Sequence, residues 1–159
     1  DQISTEAEIG PDHVTNLLAG LAKKFGDEVS GVGLAVPGTF DDSAGTILIF
    51  PNLPGPWHGH QILAPVANAS SKPTALINDA RAFALAESIL GAARGLRTVA
   101  CLVLGTGIGG GAVINGELHL FAPTRVTNIN GYGQKGDFST PFRQPSVASR
   151  PTPIYTPNQ

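Results

Sequence analysis

One stretch restricts this chain more than any other. The apolar run Val99-Ala100-Cys101-Leu102-Val103-Leu104 breaks into Gly105-Thr106-Gly107-Ile108-Gly109-Gly110-Gly111 and resumes as Ala112-Val113-Ile114. Gly105, Gly107 and Gly110 satisfy G-x-G-x-x-G after a strand. A dinucleotide fold, however, needs a helix next, so that the helix N-terminus meets the pyrophosphate. Here strand and turn follow instead, and no acid lies about 20 residues on to hold a ribose. No Gly-Lys-Ser/Thr follows either, which excludes a P-loop, and the other protein-kinase signatures are absent. What remains is strand, glycine turn, strand. Such a turn can offer backbone N–H groups to a phosphate with no side chain in the way, and Thr106 could add a hydroxyl. The same pattern also describes a glycine-rich hairpin without a ligand.

The rest of the chain alternates helix and strand signals. Val14, Leu17, Leu18, Leu21, Ala22 and Phe25 follow helical spacing, with Pro11 suited to the first turn and Gly26 to the stop. Residues 29–36 read as a buried strand ending at Pro37-Gly38, and 46–50 as a short apolar run after a turn at 41–45. Three prolines make 51–57 a loop. Residues 60–69 are weakly helical, with Pro65 interrupting or kinking them. Residues 74–77 form a short strand leading into Asn78-Asp79, and 80–93 the best helix, ending near Gly95. Asn115-Gly116 signals a hairpin turn before 117–121. From 122 onward proline, serine, threonine, asparagine and glutamine dominate and no period survives, so 122–159 is expected to be a disordered tail.

Composition narrows the class. Of the 159 residues 42% are hydrophobic and 14% charged, enough apolar material for a core. The net charge of −2 offers no basic excess for nucleic acid or an acidic membrane surface. The single cysteine, Cys101, permits no internal disulfide and no zinc site on paired cysteines; its apolar neighbours make it a small core residue. No apolar run is long enough for a membrane span and none resembles a signal peptide, so the cytoplasm is the expected compartment. The chain starts at Asp1 rather than Met, and its gene product is expected to begin earlier.

Several residues are candidates for chemistry. Asp79 stands where a strand ends and a long helix begins. It can be an N-cap accepting helix N–H groups. It can equally take a proton from a substrate hydroxyl, because ligands of open α/β sheets gather at strand C-terminal ends. Trp57 is a core anchor or a sugar-stacking face. Asn52 offers donor and acceptor to a polyol. His58 and His60 bracket Gly59, but no third ligand lies nearby, so no metal site is expected. His13 and His119 are lone residues, and Arg94 and Arg97 read as a solvated helix end.

Taken in order, these stretches resemble the ROK family of repressors, open reading frames and sugar kinases. The likeness covers about 29–121: Gly31-Val32-Gly33-Leu34-Ala35-Val36-Pro37-Gly38, Pro51-Asn52-Leu53-Pro54-Gly55-Pro56-Trp57, Ile77-Asn78-Asp79-Ala80, Glu87-Ser88-Ile89-Leu90-Gly91-Ala92-Ala93-Arg94-Gly95, Leu104-Gly105-Thr106-Gly107-Ile108-Gly109-Gly110-Gly111 and Ile114-Asn115-Gly116. Within the family it is most similar to bacterial glucokinases. The resemblance implies an α/β, actin-like ATPase fold of two ribonuclease-H-like domains, incomplete here at both ends. Residues 1–96 would be the latter part of the first domain, and 97–121 the opening hairpin of the second. Asp79 would match the catalytic base, Asn78 a sugar-hydroxyl contact, and Gly38 and Asn52 the lining of the sugar site. Gly105, Thr106 and Gly107 would match the second phosphate loop. The implied reaction is in-line transfer of the ATP γ-phosphoryl group to a hexose hydroxyl, with Mg²⁺ carried by the nucleotide. The partners would be a sugar and a nucleotide, with a homodimer allowed for the intact family member.

The chain departs from the family pattern at both ends. No D-x-G-G-T phosphate loop precedes Val29, no E-x-G-H motif follows the second loop, and the family zinc site is missing, since no Glu or Cys occurs after Glu117. The strand at 29–36 is expected to have an unpaired neighbour, and the chain is expected to turn over little by itself. A sugar-sensing domain of a ROK-type repressor is the alternative, although no helix-turn-helix is present. An unrelated small α/β binding domain with Asp79 as a helix cap is a third.

Overall fold

The computed structural model describes residues 2–25, 27–105, 107–119 and 154–156. They form two compact units, those up to Asp79 together with 154–156, and those from Ala80 to His119.

The first unit begins with a short 3-10 turn, Ala7–Ile9, and the helix α1, Pro11–Lys24. Pro11 occupies the first turn, where its missing N–H has no helical acceptor to lose, and Lys23 and Lys24 sit at the negative end of the dipole. The expected stop, Gly26, lies outside the described residues. Strand β1, Val32–Val36, pairs in parallel with β4, Thr74–Asn78, in the register Val32↔Thr74 to Val36↔Asn78. It starts three residues later than expected, where Val32 N–H bonds Pro73 O at 2.9 Å. On its other side β1 has no partner among the described residues.

Between β1 and β4 lie an antiparallel hairpin and a helix. β2, Thr39–Asp41, a strand not expected from sequence, whose last residue falls in the turn expected at 41–45, pairs with β3, Thr46–Ile49. The helix α2 runs Leu63–Ser70. Pro65 neither kinks nor breaks it, because it is the third residue and needs no intrahelical donor. Gly45 O instead receives the N–H groups of Ile62 and Leu63, at 3.2 and 3.3 Å. That close approach requires glycine: φ is +67°, and a Cβ would lie 2.6 Å from Leu63 Cβ. The core gathers Leu34, Val36 and Leu76 from the sheet with Ile47, Ile62 and Val66. The last three are essentially solvent-free, and each contributes about 1.5–3 kcal/mol by burial.

At the far edge of β4, a two-residue strand β8, Ile154–Tyr155, pairs antiparallel through Thr74↔Tyr155 and Ala75↔Ile154. These two residues lie within the 122–159 stretch read as a tail. Residues 120–153 and 157–159 lie outside the described ones.

The second unit packs the helix α3, Asp79–Ile89, from Ala80 onward, with an antiparallel sheet of β5, Thr98–Leu104, β6, Ile108–Ile114, and β7, Glu117–His119. The helix ends four residues earlier than expected. Glu87 Oε2 accepts the N–H of Ala92 at 2.8 Å, and Gly91 N–H reaches back to Ala86 and Glu87. Arg94 and Arg97 therefore lie beyond the helix rather than on its end. Arg97 donates to Asn115 Oδ1, at 3.3 and 3.1 Å. Asn115 and Gly116 both have positive φ, 53° and 83°, as the expected two-residue hairpin demands.

Strand β6 corrects the sequence reading of the glycine run. Gly109, Gly110 and Gly111 are strand residues, not turn. A Cβ on Gly109 would lie 2.7 Å from Ala80 Cβ, and one on Gly111 2.8 Å from Ala84 Cβ. Small residues on both surfaces let α3 settle onto the sheet.

Candidate functional site

The candidate sugar-side residues converge in the first unit at the C-terminal ends of β1 and β4. Parallel pairing sets Val36 beside Asn78. Two residues after Val36, Gly38 turns the chain with φ +82°. Asn78, the last residue of β4, donates from Nδ2 to Gly38 O at 3.1 Å. A Cβ on Gly38 would collide with Ile49 O and lie 3.0 Å from both Ile49 C and Pro51 Cδ. Gly38 is thus pressed between the Asn78 amide and the 49–51 backbone. Asn52, exposed, leaves directly from that junction. Asp79 follows Asn78 as the first residue of α3, exposed and at the positive end of the helix dipole.

The loop carrying Asn52 is closed at its base. Ile47 N–H bonds His60 O at 2.9 Å, and Gly59 N–H bonds Ile47 O at 2.7 Å. Trp57 anchors it from inside: it is 3% exposed, its Nε1 donates to Pro54 O at 2.9 Å, and its ring lies 4.7 Å from Phe50. The sugar-stacking alternative for Trp57 is therefore excluded. His60 Nε2 bonds Thr15 Oγ1 at 2.8 Å, tying the loop to α1, while His58 Nδ1 bonds Leu48 O at 3.1 Å. The two histidines serve different partners, and among the described residues no three His, Cys, Asp or Glu side chains could share a metal.

Asp41 carries the resolved pKa shift in this unit. The Ser43 hydroxyl, then the N–H groups of Ala44 and Ser43, hold its exposed carboxyl below the usual carboxylate value. It shapes the β2–β3 turn.

The glycine turn belongs to the second unit. Leu104 pairs with Ile108, and Gly105 and Gly107 lie between these paired residues. Gly105 N–H is spent on Gly107 O at 3.0 Å. The space a Gly105 side chain would fill is open, so a phosphate could approach the backbone there. Thr106 lies outside the described residues.

Sequence reasoning singled out Gly38, Asn52, Asn78 and Asp79 but missed the hydrogen bond that joins two of them across 40 residues. Nothing local in the sequence marks it; it depends on the parallel register of β1 and β4.

Comparison with known proteins decides the kinship. A profile of the ROK family matches residues 3–120. The chain belongs to the ROK family. The match reaches 26 residues further toward the N-terminus than the likeness recognised from the motifs, taking in α1, and it removes the alternative of an unrelated α/β domain. A glucokinase of Thermotoga maritima is 42% identical over 93 residues, covering 58% of this chain and 29% of the relative. The crystal structure of a ROK hexokinase from Thermus thermophilus superposes with a TM-score of 0.64 at 38% identity, over 73% of this chain and 39% of that one. A ROK glucokinase from Streptomyces griseus, crystallised with glucose and AMPPNP, gives 0.58 at 29% identity, over 72% and 36%. The chain therefore carries part of the actin-like ATPase fold, and spans about a third of the length of these relatives.

Proposed function

We propose that this chain is part of an ATP-dependent hexose kinase acting on glucose or a close relative. The observation that carries the reading is the grouping of Gly38, Asn78 and Asp79 at the ends of two parallel strands, with Asn52 rising from the junction that Gly38 packs against. Carboxylates at strand C-terminal ends are placed to meet a ligand. Asp79 would accept the proton of the sugar hydroxyl as that oxygen attacks phosphorus, while Asn52 and the 37–39 turn hold the ring. Gly105, Thr106 and Gly107 would receive the phosphates. ATP would supply the γ-phosphoryl group and bring Mg²⁺ with it. The glucose and AMPPNP bound by the Streptomyces relative support this choice of ligands. For the chain by itself we propose little turnover, because it spans a minor share of its relatives.

The test is titration of the isotopically labelled chain followed by NMR. Glucose should move the amide signals of Gly38, Asn52, Asn78 and Asp79, and AMPPNP with Mg²⁺ those of Gly105 and Gly107. Glucose that leaves the first group unmoved removes the reading. Robust MgATP-dependent phosphorylation of glucose by the chain, abolished in Asp79→Asn, would keep the kinase assignment and overturn the expected impairment.

A further inference from the structure

We infer that Asn78 is a positioning residue, whose amide sets the sugar-side turn against Asp79. This rests on the kinase reading above. The resemblance implied for Asn78 a direct contact with a sugar hydroxyl. The structure commits one of its amide N–H groups elsewhere, to Gly38 O at 3.1 Å.

The consequence follows from what Gly38 touches. Its positive φ and the collision of any Cβ with Ile49 O leave it no room to move toward β3. From the other side its carbonyl is held by Asn78. The 37–39 turn is therefore wedged between a side-chain donor and a backbone wall. Pro51, whose Cδ would lie 3.0 Å from that Cβ, leads directly to Asn52. One hydrogen bond from the residue preceding Asp79 thus fixes two loops relative to the carboxylate. The bond is part-buried, so water replaces it poorly once it is lost.

The chemistry of the amide is specific. Asparagine can donate to a carbonyl, whereas an ionised carboxylate of the same shape can only accept and would face Gly38 O with like charge. A protonated carboxyl could donate again. Asn78→Asp is therefore a variant whose defect should depend on pH, which simple loss of packing would not.

Hydrogen–deuterium exchange of the sugar-free chain tests this. In Asn78→Asp at neutral pH, segment 37–41 should exchange about tenfold faster than in the unmutated chain, with α1 and β5–β7 unchanged. The ratio should shrink as pH falls and the new carboxyl takes up a proton. Equal exchange at 37–41 would overturn the inference, as would a ratio indifferent to pH. Should the variant unfold, the unmutated chain decides: the Asn78 side-chain amide protons should exchange about tenfold more slowly than those of exposed Asn52, and equal rates would overturn it. Glucose affinity about tenfold weaker in Asn78→Asp supports the positioning role. Weaker glucose binding with unchanged exchange at 37–41 would make Asn78 a contact only and overturn it. Absence of glucose binding by the unmutated chain would overturn the kinase reading instead, while the exchange ratio, measured without sugar, still decides the strut.

Discussion

Glycine does different jobs at Gly38 in the first unit and at Gly109 in the second. At Gly38 it is dictated by backbone: φ is +82°, and the atom in the way of a side chain is the carbonyl oxygen of Ile49. At Gly109 the φ is ordinary and the obstacle is the Cβ of Ala80, another small side chain. The first kind of demand cannot be relieved by changing a neighbour, because every neighbour has the same backbone. The second can. At Gly38 glycine therefore shapes a turn beside the candidate sugar site, and at Gly109 and Gly111 it seats a helix on a sheet. A glycine-rich stretch is informative about function only after these uses are separated.

The largest effect expected from this contrast is at Gly38. Gly38→Ala should destabilise the first unit by about 3–4 kcal/mol in denaturant titration, combining left-handed strain with a backbone collision. Trimming side chains nearby should not rescue it. A cost below about 1 kcal/mol would break the contrast. Gly109→Ala should cost less, about 1–2 kcal/mol by overpacking. Adding Ala80→Gly should recover part of that loss, with a coupling of about 1 kcal/mol in a double-mutant cycle. Strict additivity would show that α3 does not meet β6 through these two atoms.

A third prediction sharpens the account of the first unit. Thr15→Val, which leaves His60 Nε2 without its partner, should cost about 1 kcal/mol. It should also raise exchange in segment 51–60 more than in β1. The smallest effect is expected at Asp41. Its carboxyl is held below the usual value of 3.8, so the stability it adds is present above that pH and lost as pH falls through the lower folded value. Asp41→Asn should flatten the acid limb of the stability curve slightly in that window, its small cost showing at neutral pH and vanishing in acid.

Much of the secondary structure was legible because periodicity and punctuation agreed. Pro11 and the Val14, Leu18, Ala22 spacing mark α1, and Asn115-Gly116 marks the β6–β7 turn. The misreadings share one cause, local signals overridden by distant partners. Thr39 to Asp41 do not read as a strand because only their pairing with β3 makes them one. Pro65 read as a break because the first turn of α2 is set by Gly45 O, 17 residues before Ile62. Gly109 and Gly111 read as turn because the helix that needs them small meets them through Ala80 and Ala84, well upstream in the chain, and Gly110 because its obstacle is the Cys101 carbonyl of the neighbouring strand.

The sequence by itself determined the strand–turn–strand character of 98–114, the placement of Asp79 between strand and helix, and enough ordered motifs for kinship with the ROK family. These are properties of local pattern and chain order. Only the tertiary structure decided that Trp57 is core, that Gly109 and Gly111 serve helix packing, and that Asn78 holds Gly38. Each of those depends on which groups meet across tens of residues, and that is set by strand register and helix packing, which no local window of the chain contains.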